Sequence, residues 1–439
     1  MLLLAATLTA AGGCSEEEPE KSPRSTEATE ENGTGDGLED QSSLSLPAPE
    51  ITDPLSLAPQ VVRLSETNHL MTEKEFILNV PEDYTITPAA EGMQRVRFMA
   101  LSPDGRLFAT DMRDLSDNSR GIVWVLSDFD STTGRFTTRA PYIEGLRNPN
   151  NVAFHTDRSG TTWLYIGLTD RLVRYRYRAG SAAPASGAET LATFPDSGKS
   201  YREGGWHLTR TVEFGEDGRL YVSVGSSCNV CIEQEEVRAS ILRMNPDGSD
   251  RQVWATGLRN AVGLRWVDGH GLFATNMGSD HLGLDRPEDN FYRIVEGGIY
   301  GWPWTYEYEG EIIRDPSFSA DSAAPPLESI EHSIAGFPAH SSPLGLDWFG
   351  SEAPPKLRNT FLVALHGSST VSMGRGYSVV RVGADGLLGD FVNGFLVGTK
   401  RYGRPCDVLR FGTDAFLVSD DHAGVIYLVE RNSSAEIEN

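Results

Sequence analysis

The chain has 439 residues, 39% of them hydrophobic, with 45 Gly, 14 Tyr and 8 Trp. That is enough apolar material for a large core, and the glycine and aromatic content favours turn-rich β structure. A formal net charge of −24 excludes a nucleic-acid partner, since binding a phosphate backbone requires clustered Lys and Arg. The cysteines at 14, 228, 231 and 406 are too few for a disulfide framework.

Residues 1–14 form an uncharged apolar run ending in Ala-Ala-Gly-Gly-Cys. The run resembles a bacterial lipoprotein signal cleaved before Cys14, although it has no basic n-region and carries Ala11 where Leu is usual. It is too short to span a bilayer. It implies an exported, periplasmic or cell-envelope protein held to the membrane through a lipid on Cys14. Residues 15–41 then carry ten acidic and two basic residues and almost no large apolar side chain. Such a segment cannot offset its own ordering entropy, so 15–70 reads as a disordered acidic linker.

After residue 70 a unit recurs: an apolar strand, a turn often built on Asp-Gly, and a second strand rich in Leu, Phe, Tyr and Val. Six copies place their turn-preceding apolar residues at Leu101, Phe154, Phe214, Trp266, Trp348 and Phe411. This grammar predicts an all-β fold, a six-bladed β-propeller over 71–432 with a short tail at 433–439. The longest interval, Trp266 to Trp348, predicts a large insertion near 300–340. Gly105 and Gly218 follow Asp in turns, where positive φ costs a glycine little. The alternating stretch 75–80 is expected to close the ring beside 424–430, covering an exposed edge. No Gly-rich loop leads from a strand into a helix, which argues against a nicotinamide cofactor.

Innermost propeller strands begin near the central channel, so polar residues just before each copy's first apolar pair are expected to face it. The copies supply Arg147-Asn-Pro-Asn-Asn151, Gly204-Gly-Trp-His-Leu-Thr-Arg210, Gly257-Leu-Arg-Asn260, Ala339-His-Ser-Ser-Pro-Leu-Gly345 and Arg401-Tyr-Gly-Arg-Pro-Cys-Asp407. These converge on one axis as a candidate binding pocket.

At these residues the chain resembles the soluble quinoprotein glucose and sorbosone dehydrogenase family. The resemblance runs from about residue 75 to 430 and is carried by GWHLTRTVEFGEDGRLYVSVGSSCNVC, GLRNAVGL, GSDHLGLDRPEDN, AHSSPLGL and RYGRPCDV in that order. It implies pyrroloquinoline quinone (PQQ) as cofactor, a sugar, sugar aldehyde or polyol as substrate, and an external electron acceptor, because the chain has no CxxCH haem-attachment run. It also implies that His207 is the general base, a role suited to imidazole. Arg259 and Asn260 stand beside the quinone, and Arg401 and Arg404 hold its carboxylates. Arg210, His340 and His366 are further cofactor-pocket candidates. Calcium is implied at Gly278, Ser279, Asp280 and Asp289, with Tyr300 nearby. Two departures stand out: Asn290 follows Asp289 where the family usually has an acid, which weakens the calcium site, and Trp206 replaces the Asp beside the base in glucose-oxidising members.

Each site has a plainer reading. A histidine in a strand is more often a core or surface residue, Arg259 can stitch blades through backbone carbonyls, and Asp280 and Asp289 can be turn formers. Cys228 and Cys231 are open to three readings, a redox pair, half a metal site or a small disulfide, and an exported location favours the last. Cys406 reads as a buried lone thiol beside the channel. Two other functions compete with the dehydrogenase. One is a non-catalytic carbohydrate- or protein-binding propeller. The other is a metal-dependent lactonase-like hydrolase, which wants ligands from several blades, whereas the acidic candidates here cluster in one loop.

Overall fold

Each repeat folds as an antiparallel four-stranded sheet in the computed structural model, which describes residues 45–196, 207–319 and 321–432. The second strand of each repeat is the most apolar because neighbouring blades cover both its faces; Leu107–Asp111 and Thr360–Leu365 are buried at every residue. Blades one to six have innermost strands Val96–Leu101, Asn151–Thr156, Val212–Phe214, Ala261–Val267, Pro343–Phe349 and Pro405–Arg410. These strands touch one another in sequence around the axis. Six apolar clusters fill the seams between consecutive blades, for example Phe108, Val123, Ile166 and Val173 between blades one and two. Gly105 and Gly218 adopt positive φ in their hairpin turns, as the Asp-Gly pairs predict. The helical elements among the described residues are short 3-10 turns, and none is long and apolar enough to cross a membrane.

Ring closure corrects two expectations. The strand that completes blade six is Tyr84–Ala90, which pairs with Val425–Arg431. The stretch expected there forms instead the strand Glu75–Pro81, paired with Leu57–Arg63 in a ribbon outside the ring. Both segments alternate apolar and polar residues. Alternation sets which face is buried and leaves the choice of partner strand open. The ribbon also shortens the expected linker, because Leu57–Arg63 lies inside the 15–70 span read as disordered. The Cys14 segment, the acidic run 15–41, Trp206 and the tail 433–439 lie outside the described residues.

The long interval between blades four and five holds the ribbon Thr305–Tyr308 with Glu311–Arg314, and Ala335–Phe337 as the outer strand of blade four. On the axis, Phe98, Val262, Leu344 and Cys406 form an apolar plug with Met277 against it. Cys406 is a free thiol within that plug, fully buried.

Candidate functional site

All six innermost strands begin at the same end of the channel, so the residues preceding them form one mouth. There they enclose a cavity of about 1040 Å³ floored by the plug residues Val262 and Leu344. His207, Arg259, Asn260, Gly278, Asp280, Asp289, His340, His366 and Arg404 line it together, from four different blades. Arg97 of blade one lines it as well and was missed in the sequence, because blade one has no motif before its strand.

His207 sits in a left-handed conformation, φ 51°, which a residue with a Cβ adopts only where its surroundings impose it. Its Nδ1 lies 3.0 Å from Ser226 O and 2.9 Å from Ser226 Oγ. A carbonyl only accepts, and Ser226 Oγ spends its own proton on Cys228 O at 2.7 Å. Nδ1 is therefore the donor, and the acceptor lone pair of the neutral ring is on Nε2. Burial, reinforced by Arg259, holds the imidazole well below the ordinary histidine range, so it stays neutral. Gly225 packs beneath it: a Cβ there would stand 2.5 Å from His207 Cβ and 2.6 Å from Asn260 Oδ1.

Arg259 is 3% exposed and binds two loops at once. Its Nε donates to Asn229 O at 2.8 Å, its Nη2 to Asn229 Oδ1 at 2.9 Å and its Nη1 to Gly278 O at 2.7 Å. The stitching role is thus real, and the residue also faces the cavity. The loop it grips is closed by a disulfide between Cys228 and Cys231, the reading that export favoured.

Opposite His207, a buried polar group ties blades one, five and six together. His366 Nε2 donates to Asp421 Oδ1 at 2.8 Å, and Arg97 Nη1 reaches Asp421 Oδ2 at 3.0 Å. Burial and Arg404 hold the His366 imidazole down at about 3. Burial alone would raise Asp421, but His366, Arg97 and Arg95 keep its carboxyl well below the usual range. The anion is neutralised by the two arginines, so His366 remains a neutral donor. Arg404 Nε donates to His366 O at 3.0 Å and its Nη2 to Gly367 O. Burial lowers the Arg404 guanidinium to about 10, the mark of a cation short of solvent.

Several predicted residues are not brought to the cavity wall. Arg210 is 1% exposed and donates to the carbonyls of His207, Thr209 and Pro195, so it shapes the His207 turn from behind. Arg401 donates to Tyr377 Oη at 3.2 Å, outside the cavity lining. Ser279 is buried beside the lining loop. Tyr300 belongs to the core between blades three and four, its hydroxyl donating to Arg293 O and accepting from Val295 N.

The proposed calcium oxygens do not converge. Asp289 spends one carboxylate oxygen on Gly278 N and the other on Ser342 N, both at 2.7 Å. Burial pushes its carboxyl up to about 6. Gly278 O is taken by Arg259, Asp280 pairs with His340 and Arg259, and Tyr300 is in the core. A calcium cage needs six or more oxygens around one point, and these residues do not form one. Among the described residues, the group of His, Cys, Asp or Glu side chains close enough to share an ion is Cys228, Cys231 and Glu233, whose sulfurs are joined to each other. The cavity does suit a flat polyanion such as PQQ: it is roomy, and three guanidinium groups, Arg97, Arg259 and Arg404, line it.

The profile of the glucose/sorbosone dehydrogenase family matches residues 150–374, just over half of the chain. A Borreliella burgdorferi protein described as uncharacterized is 29% identical over 224 residues, 49% of this chain and 58% of that protein, so the match spans less than two thirds of its length. The holo PQQ domain of pyranose dehydrogenase from Coprinopsis cinerea aligns with a TM-score of 0.64 at 18% identity, covering 85% of this chain and 100% of its own. The calcium structure of a family AA12 carbohydrate-active enzyme from Trichoderma reesei gives 0.65 at 18% identity, over 80% of this chain and 96% of its own. The PQQ-bound aldose sugar dehydrogenase of Streptomyces coelicolor gives 0.54 at 20% identity, over 80% and 99%. These structures share the propeller fold, and with the family profile covering just over half of the chain, the chain belongs to the glucose/sorbosone dehydrogenase family.

Proposed function

We propose that the protein is a PQQ-dependent oxidoreductase that oxidises a sugar, sugar aldehyde or polyol and passes the electrons to a separate acceptor. The observation that carries this reading is a half-buried, neutral His207 with its acceptor lone pair on Nε2, in one cavity with three guanidinium groups. PQQ, when bound, supplies the two-electron acceptor for the hydride that leaves the substrate carbon.

The chain's own groups do the rest. Arg404 offers charge to an anionic cofactor from one wall and Arg259, beside Asn260, from the other, while Arg97 is held to Asp421. His207 takes the substrate hydroxyl proton at Nε2, and its Nδ1–H, held by Ser226, places the acceptor lone pair on that nitrogen. The resulting imidazolium is disfavoured by burial and by Arg259, which drives the proton onward once the carbonyl product forms. Export and a lipid on Cys14 belong to the same proposal. Palmitate labelling that Cys14→Ser abolishes is the expected result there.

The test is a titration of the purified protein with PQQ, with and without added calcium, followed by dye-linked oxidation of a panel of aldoses, sugar aldehydes and polyols. Saturable quinone binding with turnover is expected. Absence of binding at every calcium level overturns the dehydrogenase reading in favour of a non-catalytic propeller.

A further inference from the structure

We propose that Asn229, held inside the Cys228–Cys231 disulfide loop, is a positioning residue that sets the plane of Arg259 in the cavity. The inference rests on the cofactor reading above, because it assigns a role toward the anion that Arg259 meets.

The geometry is specific. Nε and Nη2 lie on one edge of the Arg259 guanidinium, and both are received by a single residue, through Asn229 O at 2.8 Å and Asn229 Oδ1 at 2.9 Å. A two-point grip on a planar fork fixes its orientation as well as its place, which one hydrogen bond does not. Asn229 Oδ1 also accepts from Asp280 N at 2.9 Å, so the same oxygen ties the blade-three loop to the blade-four loop over the cavity. The remaining nitrogen, Nη1, goes to Gly278 O on that second loop.

The disulfide explains how a loop residue can hold a buried cation still. Cys228 and Cys231 are three apart in sequence, so Asn229 and Val230 form the whole of the closed turn and have little conformational freedom to lose when ligand enters. The loop is anchored on both flanks. Ser227 N and Oγ donate to Glu233 at 2.6 and 2.7 Å, and Cys228 O accepts from the Ser226 hydroxyl that receives His207 Nδ1. Ser226 N in turn donates to Arg259 O at 2.8 Å. The two cavity groups of blades three and four therefore share one support.

The experiment compares the full chain with Asn229→Leu and Asn229→Asp, reading PQQ affinity, turnover at saturating PQQ, and the Arg259 Nη2–H resonance in the cofactor-free protein, assigned through Arg259→Lys. Asn229→Leu removes the Oδ1 acceptor and is expected to weaken PQQ binding roughly tenfold. It should leave turnover at saturating PQQ within about threefold, since His207 is held through Ser226. Asn229→Asp keeps both acceptors, and with them the set of the guanidinium, but places a carboxylate against it, so it is expected to keep the Nη2–H protection while PQQ affinity still falls. The double change Cys228→Ser, Cys231→Ser should move affinity in the same direction as Asn229→Leu. The Nη2–H signal, whose acceptor is Asn229 Oδ1, should be protected from exchange in wild type and Asn229→Asp and lost in Asn229→Leu; Asn229→Ala takes its place if the leucine variant does not fold. Unchanged affinity and an unchanged Nη2–H signal in Asn229→Leu, or loss of that signal in Asn229→Asp, overturns the assignment. Wild type that binds no PQQ sinks the cofactor reading instead, and the resonance then decides the Asn229 role alone.

Discussion

The two ends of the central channel are built from the same six strands and carry opposite chemistry. At the wide end, Arg404 is oriented by the carbonyls of His366 and Gly367, and no carboxylate lies within ion-pair distance of it among the described residues. At the narrow end, a cavity of about 300 Å³ holds Arg265 between Asp347 at 3.2 Å and Glu213 at 3.7 Å. Asp407 also faces that cavity, its carboxyl pushed up to about 8 by burial. A guanidinium steered by neutral carbonyls keeps its charge for a ligand, whereas one set between carboxylates has already spent it. The placement of arginine at both ends thus says less about binding than the identity of its acceptors. The wide end is made for an anion and the narrow end for holding strands together.

The largest effect tests the wide end directly. His207→Ala should lower dye-linked turnover by roughly 10²–10⁴-fold while PQQ affinity and the circular dichroism spectrum remain those of wild type. Next comes a pair that sets the ends against each other. Arg265→Ala strands Glu213 and Asp347 and should cost about 3 kcal/mol of unfolding free energy in a denaturant titration, with the quinone dissociation constant unchanged. Arg404→Ala should do the reverse, weakening quinone binding by roughly tenfold or more with a smaller loss of stability. If both variants lose stability and neither loses affinity, the distinction between spent and available cations fails.

Glycines sharpen the same contrast at a smaller scale. An alanine at Gly225 places its Cβ 2.5 Å from His207 Cβ, and one at Gly345 places it 2.0 Å from Asp407 Oδ1. Each overpacks a closed space, at about 1–3 kcal/mol. Gly225→Ala should show this chiefly as lost turnover and Gly345→Ala chiefly as a lower melting temperature. The smallest effect is pH dependence. Burial holds His366 at about 3 and His422 at about 4, below the roughly 6.5 of an unfolded histidine. The unfolded chain therefore binds protons that the fold refuses. That stability is complete above about pH 6.5 and drains away as pH falls toward the folded values. The share of stability that these histidines carry should fall between pH 7 and 5, opposing the raised carboxyls of Asp289 and Asp407. His366→Gln should therefore lose less melting temperature over that interval than wild type.

Much of the site was legible because propeller strands are periodic. A polar cluster just ahead of an apolar inner strand has few places to go other than the channel mouth, which located His207, Arg259, Asn260, His340 and Arg404 from local pattern. His366, a cavity residue as well, was reached through the family resemblance. Arg97 escaped that rule because it lies inside its strand, after Val96, with no motif around it. Asp421 escaped because its meaning is its partner: Arg97 lies 324 residues away along the chain. Asn229 was visible only as a spacer between two cysteines. Tyr300, assigned to a metal site, is a core residue whose hydroxyl serves the backbone of Arg293 and Val295.

The amino-acid order by itself determined that this chain is a six-bladed propeller and where its pocket opens, since strand alternation and Asp-Gly turns are local properties that each repeat carries whole. The tertiary structure alone decided that Tyr84–Ala90 and not 75–80 closes the ring, and that the Asp289 oxygens are spent on backbone donors. It alone decided which arginines still have charge to offer. Partnership is a matter of distance in space, and a hydrogen bond or ion pair between residues hundreds of positions apart leaves no period in the sequence to read.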